Sequence, residues 1–112
     1  MKRGEIWTIA GSGYAGKLRP ALVIQSDLFQ LLASVTVCLI TSDLTEAEDV
    51  LRIPVAPTPA NGLRGASMVC VDKIVTIPTS RVGTHAGTLE QETLAIVDHA
   101  LWVFLGFAQV SP

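Results

Sequence analysis

Gly11-Ser12-Gly13-Tyr14-Ala15-Gly16-Lys17-Leu18-Arg19-Pro20-Ala21-Leu22-Val23-Ile24 opens on three glycines and closes on a run of apolar residues. Its first six residues match the three-glycine pattern of dinucleotide-binding loops, and Lys17 nearly completes a phosphate-binding loop. Both mechanisms require the loop to open a helix, whose amides and dipole hold the phosphates. Here the loop runs into Arg19-Pro20 and then into consecutive apolar residues that read as a strand, and Leu18 stands where the phosphate-binding loop needs a hydroxyl. The stretch is therefore read as a hairpin loop feeding a strand. No nucleotide cofactor and no doubly wound parallel sheet are expected.

Working outward, apolar runs rich in Val and Ile recur at residues 6–9, 21–25, 35–41, 50–55 and 67–77 and predict five strands. The last run crosses Asp72-Lys73, two adjacent charges that fit a buried strand poorly and predict a bulge. Residues 10–18 and 56–66, rich in Gly, Pro and small side chains, predict loops, and residues 26–32 a short helical turn. One helix follows Gly87. Thr88 and Gln91 have the spacing of a capping box, and Glu90 and Glu92 put negative charge in the first turn. Leu94, Val97, Leu101 and Phe104 form its apolar stripe, broadened by Ile96, Trp102 and Val103, and Gly106 stands where a left-handed C-terminal residue is favoured. This order predicts a mainly β fold with a C-terminal α-helix, an antiparallel sheet curled into a small barrel.

At 112 residues, 49% apolar and 16% charged, the chain is expected to form one domain over residues 1–112. A core can form at this length without disulfide or structural metal. The 8 Lys and Arg against 10 Asp and Glu leave a net charge of −2, with a pI near 5.5. No basic field announces a nucleic acid, so any such partner must use a local patch. Cys38 and Cys70 lie inside β-branched runs and read as buried thiols in a reducing compartment. Residues 94–108, the most apolar stretch, are interrupted by Asp98 and His99, and no apolar segment backs the N-terminal charges, so a cytoplasmic protein outside the membrane is expected. The mean hydropathy of +0.47 is high, and an oligomer interface is an outlet for the excess.

Candidate chemistry is sparse. His85, read as a loop residue near Arg81, and His99 on the helix have no cysteine, serine or carboxylate at a telling spacing. Glu46, Glu48 and Asp49 read as a solvated loop, and no metal site is expected. What remains is Arg19 at the entry of the second strand and Thr41-Ser42 at the exit of the third. If these strands pair antiparallel, a guanidinium and two hydroxyls meet at one rim of the sheet, an arrangement suited to a phosphate. The alternative on composition alone is a surface arginine and a strand-ending threonine.

Together Arg3-Gly4-Glu5-Ile6-Trp7, the blocks Arg19-Pro20-Ala21-Leu22-Val23-Ile24-Gln25-Ser26-Asp27 and Ile40-Thr41-Ser42, then residues 67–77 and Ser80-Arg81-Val82-Gly83, resemble the MazF/PemK (Kid) family of toxin endoribonucleases across nearly the whole chain. The resemblance implies the SH3-like barrel of the CcdB/PemK-like plasmid toxins, a homodimer and a cognate antitoxin. It also implies cofactor-free, metal-independent cleavage of single-stranded RNA at short motifs, which inhibits translation and growth.

Carried over by position, Arg19 stabilises the phosphorane-like transition state and Thr41 hydrogen-bonds the scissile phosphate. Tyr14, Lys17, Ser42, Asp72, Lys73 and Arg81 are the implied RNA contacts, Tyr14 by stacking. The implied reaction is attack by the ribose 2′-hydroxyl on its own phosphate, which needs no external nucleophile. Two departures stand out: residues 10–18 lack the histidine, acidic and glutamine side chains many relatives carry there, so no general base is assigned, and Cys70 replaces an arginine found in some members. Two other readings share the fold, a gyrase poison that uses the tail Trp102-Val103-Phe104-Leu105-Gly106-Phe107 and a silent barrel that only binds its antitoxin.

Overall fold

The computed structural model describes residues 1–10, 17–45 and 49–108. Among them are strands β1 (Glu5–Ile9), β2 (Arg19–Val23), β3 (Ser34–Thr41), β4 (Arg52–Val55), β5 (Ser67–Pro78) and β6 (Val82–Thr88), then helix α1 (Gln91–Phe104). They form one antiparallel sheet in the order β4-β5-β3-β2-β1-β6. The five predicted strands are present, and β6 is a sixth. The stretch predicted as a helical turn holds a single 3-10 turn at Asp27–Phe29, where the Ser26 hydroxyl accepts the Leu28 N–H at 3.2 Å.

Alternation along the strands divides the sheet's apolar residues into two clusters. Ile6, Leu22, Cys38, Ile40, Val69 and Val71 face Val97, Ala100 and Leu101 of α1. Ile9, Ala21, Val23, Val35, Val37 and Ile77 fill the opposite side. Burial pushes the Cys38 thiol up to about 12, which keeps it a neutral core group.

The predicted bulge is found at Asp72-Lys73. Cys38 pairs with Ile74 and the next β3 residue, Leu39, pairs with Cys70, so Val71, Asp72 and Lys73 are extruded together. One end of β5 can then pair with both β3 and β4, while Asp72 turns to form an ion pair with Arg52.

Among the described residues the sheet is not closed by strand pairing, because β4 pairs with β5 alone and β6 with β1 alone. Residues 56–66 span the seam. The Thr88 N–H donates to Ala60 O at 2.8 Å. Gly62, at φ +69, lies so close to Ala86 that a Cβ there would sit 2.0 Å from its carbonyl oxygen, and a Cβ at Gly87 would meet Ala60 O at 2.3 Å. Only glycine permits this approach.

At the helix start the capping-box expectation is corrected. Thr88 ends β6, and the N-cap is Glu90, with no side-chain cap bond. The Glu90 carboxylate is instead taken by the seam loop. The helix end agrees with expectation: Gly106 has φ +85, its N–H reaches Val103 O at 3.1 Å, the Phe107 N–H reaches Trp102 O at 2.9 Å, and the Trp102 and Phe107 rings pack at 5.5 Å. The apolar stripe is shorter than predicted. Val97, Ala100 and Leu101 are buried, while Ile96 is exposed midway along the helix and Trp102 and Phe104 are exposed in its last turn.

Candidate nucleic-acid interface

β2 and β3 bring the two principal candidates together. Ala21 pairs with Leu39, and two residues further along these antiparallel strands Arg19 stands opposite Thr41. Both fall by alternation on the face away from α1. Ile9 pairs with Arg19 on one side and with Val82 on the other, which sets Arg81 at the same end of the sheet. Pro20 suits this position because its missing donor and fixed φ are tolerated where a strand begins.

Two cavities flank this rim. The first, of about 360 Å³, is lined by Arg19, Leu39, Thr41, Ser42, Asp43 and Lys73 among others. It places one guanidinium, one ammonium and two hydroxyls around one opening. The Thr41 Oγ1 accepts the Asp43 N–H at 3.0 Å, and Asp43 Oδ1 accepts the Thr45 N–H at 3.0 Å. The first of these bonds orients the hydroxyl and leaves its proton to donate. The Thr45 bonds hold the Asp43 carboxyl below its ordinary range. A second cavity, of about 420 Å³, opens on the helix-bearing side of the same rim, between Arg19, Ser42, Arg64 and Thr84.

The remaining candidates separate by position. Lys73 and Ser42 join Arg19 and Thr41 in the first cavity. Lys17 is exposed two residues before β2. Arg81 lines neither cavity, and its carbonyl accepts the Ala10 N–H at 3.0 Å. Asp72 is drawn away by Arg52, which is nearly buried. Tyr14, like Glu46 and Glu48, lies outside the described residues. Gly11 to Gly16 do as well, but the element that follows them is strand β2, which fails the requirement of both glycine motifs for a helix. His85 belongs to β6 rather than to a loop. Its ring stacks on Trp7 at 4.9 Å, and Nε2 lies 2.8 Å from Gly87 O and 3.5 Å from Glu5 Oε2.

The sequence reading missed Arg64, which sits on the seam loop. That loop is built around Asn61, whose Nδ2 donates to Ala56 O at 2.9 Å and Glu90 Oε1 at 3.0 Å and whose Oδ1 accepts the Thr58 and Leu63 N–H groups at 3.0 Å each. The Thr58 hydroxyl donates to Glu90 Oε2 at 2.8 Å. These donors hold the Glu90 carboxyl below its ordinary value. Among the described residues, no group of three or more His, Cys, Asp or Glu side chains could hold a metal ion, and no helix is long and apolar enough to cross a membrane.

Residues 2–105 match the family model described as the PemK-like, MazF-like toxin of type II toxin–antitoxin systems. The chain is 46% identical over 109 residues, covering 96% of this chain and 99% of the relative, to the probable endoribonuclease MazF of Mycolicibacterium smegmatis. Among solved structures, the Mycobacterium tuberculosis toxin MazF-mt6 is 27% identical with a TM-score of 0.73, covering 88% of this chain and 92% of that one. An endoribonuclease in complex with its cognate antitoxin from a mycobacterial species superposes with a TM-score of 0.80 at 22% identity, covering 98% and 99%. The six-stranded sheet with its terminal helix is therefore the fold of the MazF structures, and the chain belongs to the PemK-like, MazF-like family of type II toxin–antitoxin toxins.

Proposed function

We propose that the chain is a metal-independent endoribonuclease that cuts single-stranded RNA at short sequence motifs, working as one domain over residues 1–112 without a cofactor. The observation that carries this reading is the meeting of Arg19, at the start of β2, and Thr41, at the end of β3, in one cavity with Lys73. A relative 46% identical bears the name of a probable endoribonuclease, which supports it.

In the proposed reaction the ribose 2′-oxygen bonds to phosphorus as the bond to the 5′-oxygen breaks. The proton lost by the 2′-hydroxyl balances the one gained by the 5′-oxygen, leaving a cyclic phosphate and a 5′-hydroxyl. Arg19 offers a rigid fork of donors to the equatorial oxygens, where charge accumulates, and the Thr41 hydroxyl adds one more. Ser42 and Lys73 hold the flanking backbone, with Lys17, Arg81 and Tyr14 extending its path. Asp72 flanks the RNA while paired with Arg52.

The same reading gives the protein two protein partners in the cytoplasm, a second copy and an antitoxin. Ile24, Leu101, Trp102, Leu105 and Phe107 line an apolar depression of about 560 Å³, and Trp102 and Phe107 are 56% and 69% exposed. Apolar surface of this kind marks an interface. With a net charge of −2, RNA affinity rests on few phosphate contacts and falls only shallowly with salt.

The test is incubation in EDTA with a mixed-sequence single-stranded RNA and the same sequence as DNA, followed by mapping of fragment ends. Discrete RNA cuts with 5′-hydroxyl ends, absent from DNA and from Arg19→Ala protein, are expected. Intact RNA across several sequences, from folded protein without antitoxin, would sink the reading.

A further inference from the structure

The second cavity is not needed for the transfer step, yet it shares Arg19, Ile40 and Ser42 with the first and opens on the other side of the same rim. A nucleotide whose phosphate rests on Arg19 and Thr41 therefore has a neighbouring base within reach of it. Its volume of about 420 Å³ lies in the range of about 300–1,000 Å³ in which proteins hold small organic groups. Pro20, Ile40, Leu63 and Ala86 give it apolar walls for the faces of a base.

The polar groups are selective. The Thr8 hydroxyl is taken up by the Thr84 N–H at 2.8 Å and the Thr84 hydroxyl at 3.3 Å, and the Ser67 hydroxyl donates to Gly65 O at 3.0 Å. Arg64 and Arg19 are the charged side chains in the lining, both carry donors only, and neither has an acceptor among the described residues. The Arg64 backbone is fixed from behind, three residues after fully buried Asn61 and two after Gly62, which is pressed on Ala86. A fork of donors on this anchored loop meets the acceptor edge of a keto base, O4 of uracil or O6 and N7 of guanine, and meets the amino groups of cytosine and adenine donor to donor.

We infer that this cavity takes one nucleobase beside the scissile phosphate and that Arg64 selects a keto base there, uracil or guanine. The inference rests on the endoribonuclease reading. RNA bases are commonly read in this way, splayed from the strand, packed on guanidinium planes and bonded along their edges.

The experiment digests a randomised RNA pool with the wild type, Arg64→Met and Arg64→Lys proteins and reads the base frequencies flanking every cut. Expected is a keto preference of about tenfold or more at one flanking position in the wild type, flattened in both variants while cutting persists. Lys keeps the charge without the fork, so flattening there marks edge recognition. Equal slowing of all sequences in Arg64→Met with an unchanged base profile, rescued by Lys, would overturn the inference in favour of a phosphate contact. Indifference of the wild type at both flanking positions would overturn it as well. Should the variants fail to fold, the wild type alone decides: a guanine replaced by 2-aminopurine, which lacks O6, or a uracil replaced by 4-thiouracil at the preferred position slows cutting about tenfold, and an unchanged rate contradicts the inference. RNA left intact by the wild type is a separate result, which overturns the endoribonuclease reading itself.

Discussion

The rim at the end of β2 and β3 and the seam between β4 and β6 are built on opposite plans. The rim sets Arg19 and Lys73 in the open with Thr41 and Ser42 between them. The seam buries Asn61 completely and engages its backbone N–H and its side-chain atoms with Thr58, Ala56, Leu63 and Glu90. Charge left in water keeps its capacity to meet a phosphate and contributes little to stability. A satisfied buried network fixes one geometry and loses it all at once when a member is removed. Activity and stability are thus assigned to different residues about the same pair of cavities, and substitutions can separate them.

The sharpest separation is Arg19→Ala. Cleavage is expected to fall by about 100-fold or more, as it does when a donor to a developing anion is lost. The melting temperature should stay close to wild type, since exposed substitutions change stability by about 0.5 kcal/mol or less. A variant that melts early would place Arg19 in the fold and break the contrast. From the other side, Asn61→Ala should cost about 3 kcal/mol by orphaning buried partners, read by denaturant unfolding. A loss below about 1 kcal/mol, the size of one ordinary hydrogen bond, would mean the seam is held by its glycines and not by the amide.

Thr41→Val sits between the two plans, because its hydroxyl both caps the turn through Asp43 and faces the cavity. Cleavage should drop about tenfold, the value of one neutral donor, with Thr41→Ser near wild type. If Ser also fails, the methyl group and its packing matter and the hydroxyl does not. The smallest effect is the seam's own contribution to the pH dependence. The Glu90 carboxyl is held below its ordinary 4.5 in the folded chain, so its contribution is complete above that value and is lost as pH falls through the lower folded one. Acid unfolding of Glu90→Gln should therefore show a weaker pH dependence below about 4.5 than the wild type, and identical curves would remove Glu90 from the account.

How far the sequence foretold this division depends on where each signal lies. Arg19 and Thr41 were legible because they sit beside apolar runs that pair as neighbours, so short-range pattern implied long-range contact. The bulge was legible from Asp72-Lys73 alone. β6, Val-Gly-Thr-His-Ala-Gly-Thr, was not, since its side chains are small or exposed and two glycines interrupt it. Its place is set by backbone approach, with Gly62 against Ala86 and Gly87 against Ala60. The seam joins residues 29 positions apart, Asn61 and Glu90, and no local period encodes such a clasp. Without the clasp, Arg64 looks like one more charge in a loop, and Thr88 and Gln91 look like a cap. The helical stripe gave the buried face of α1 correctly but could not mark where the sheet stops covering it, which left Trp102 and Phe104 on the wrong side of the boundary.

The central claim is that the rim serves a substrate carrying its own nucleophile. The most direct measurement uses one short RNA containing a mapped cut site and the same RNA with a single 2′-deoxy substitution at the ribose preceding the scissile phosphate, both in EDTA. This one missing hydroxyl is expected to abolish cutting at that bond while binding of the oligonucleotide is retained. Continued cutting at the deoxy-substituted bond would show that water or a side chain is the nucleophile, and the roles given to Arg19 and Thr41 would have to be rewritten.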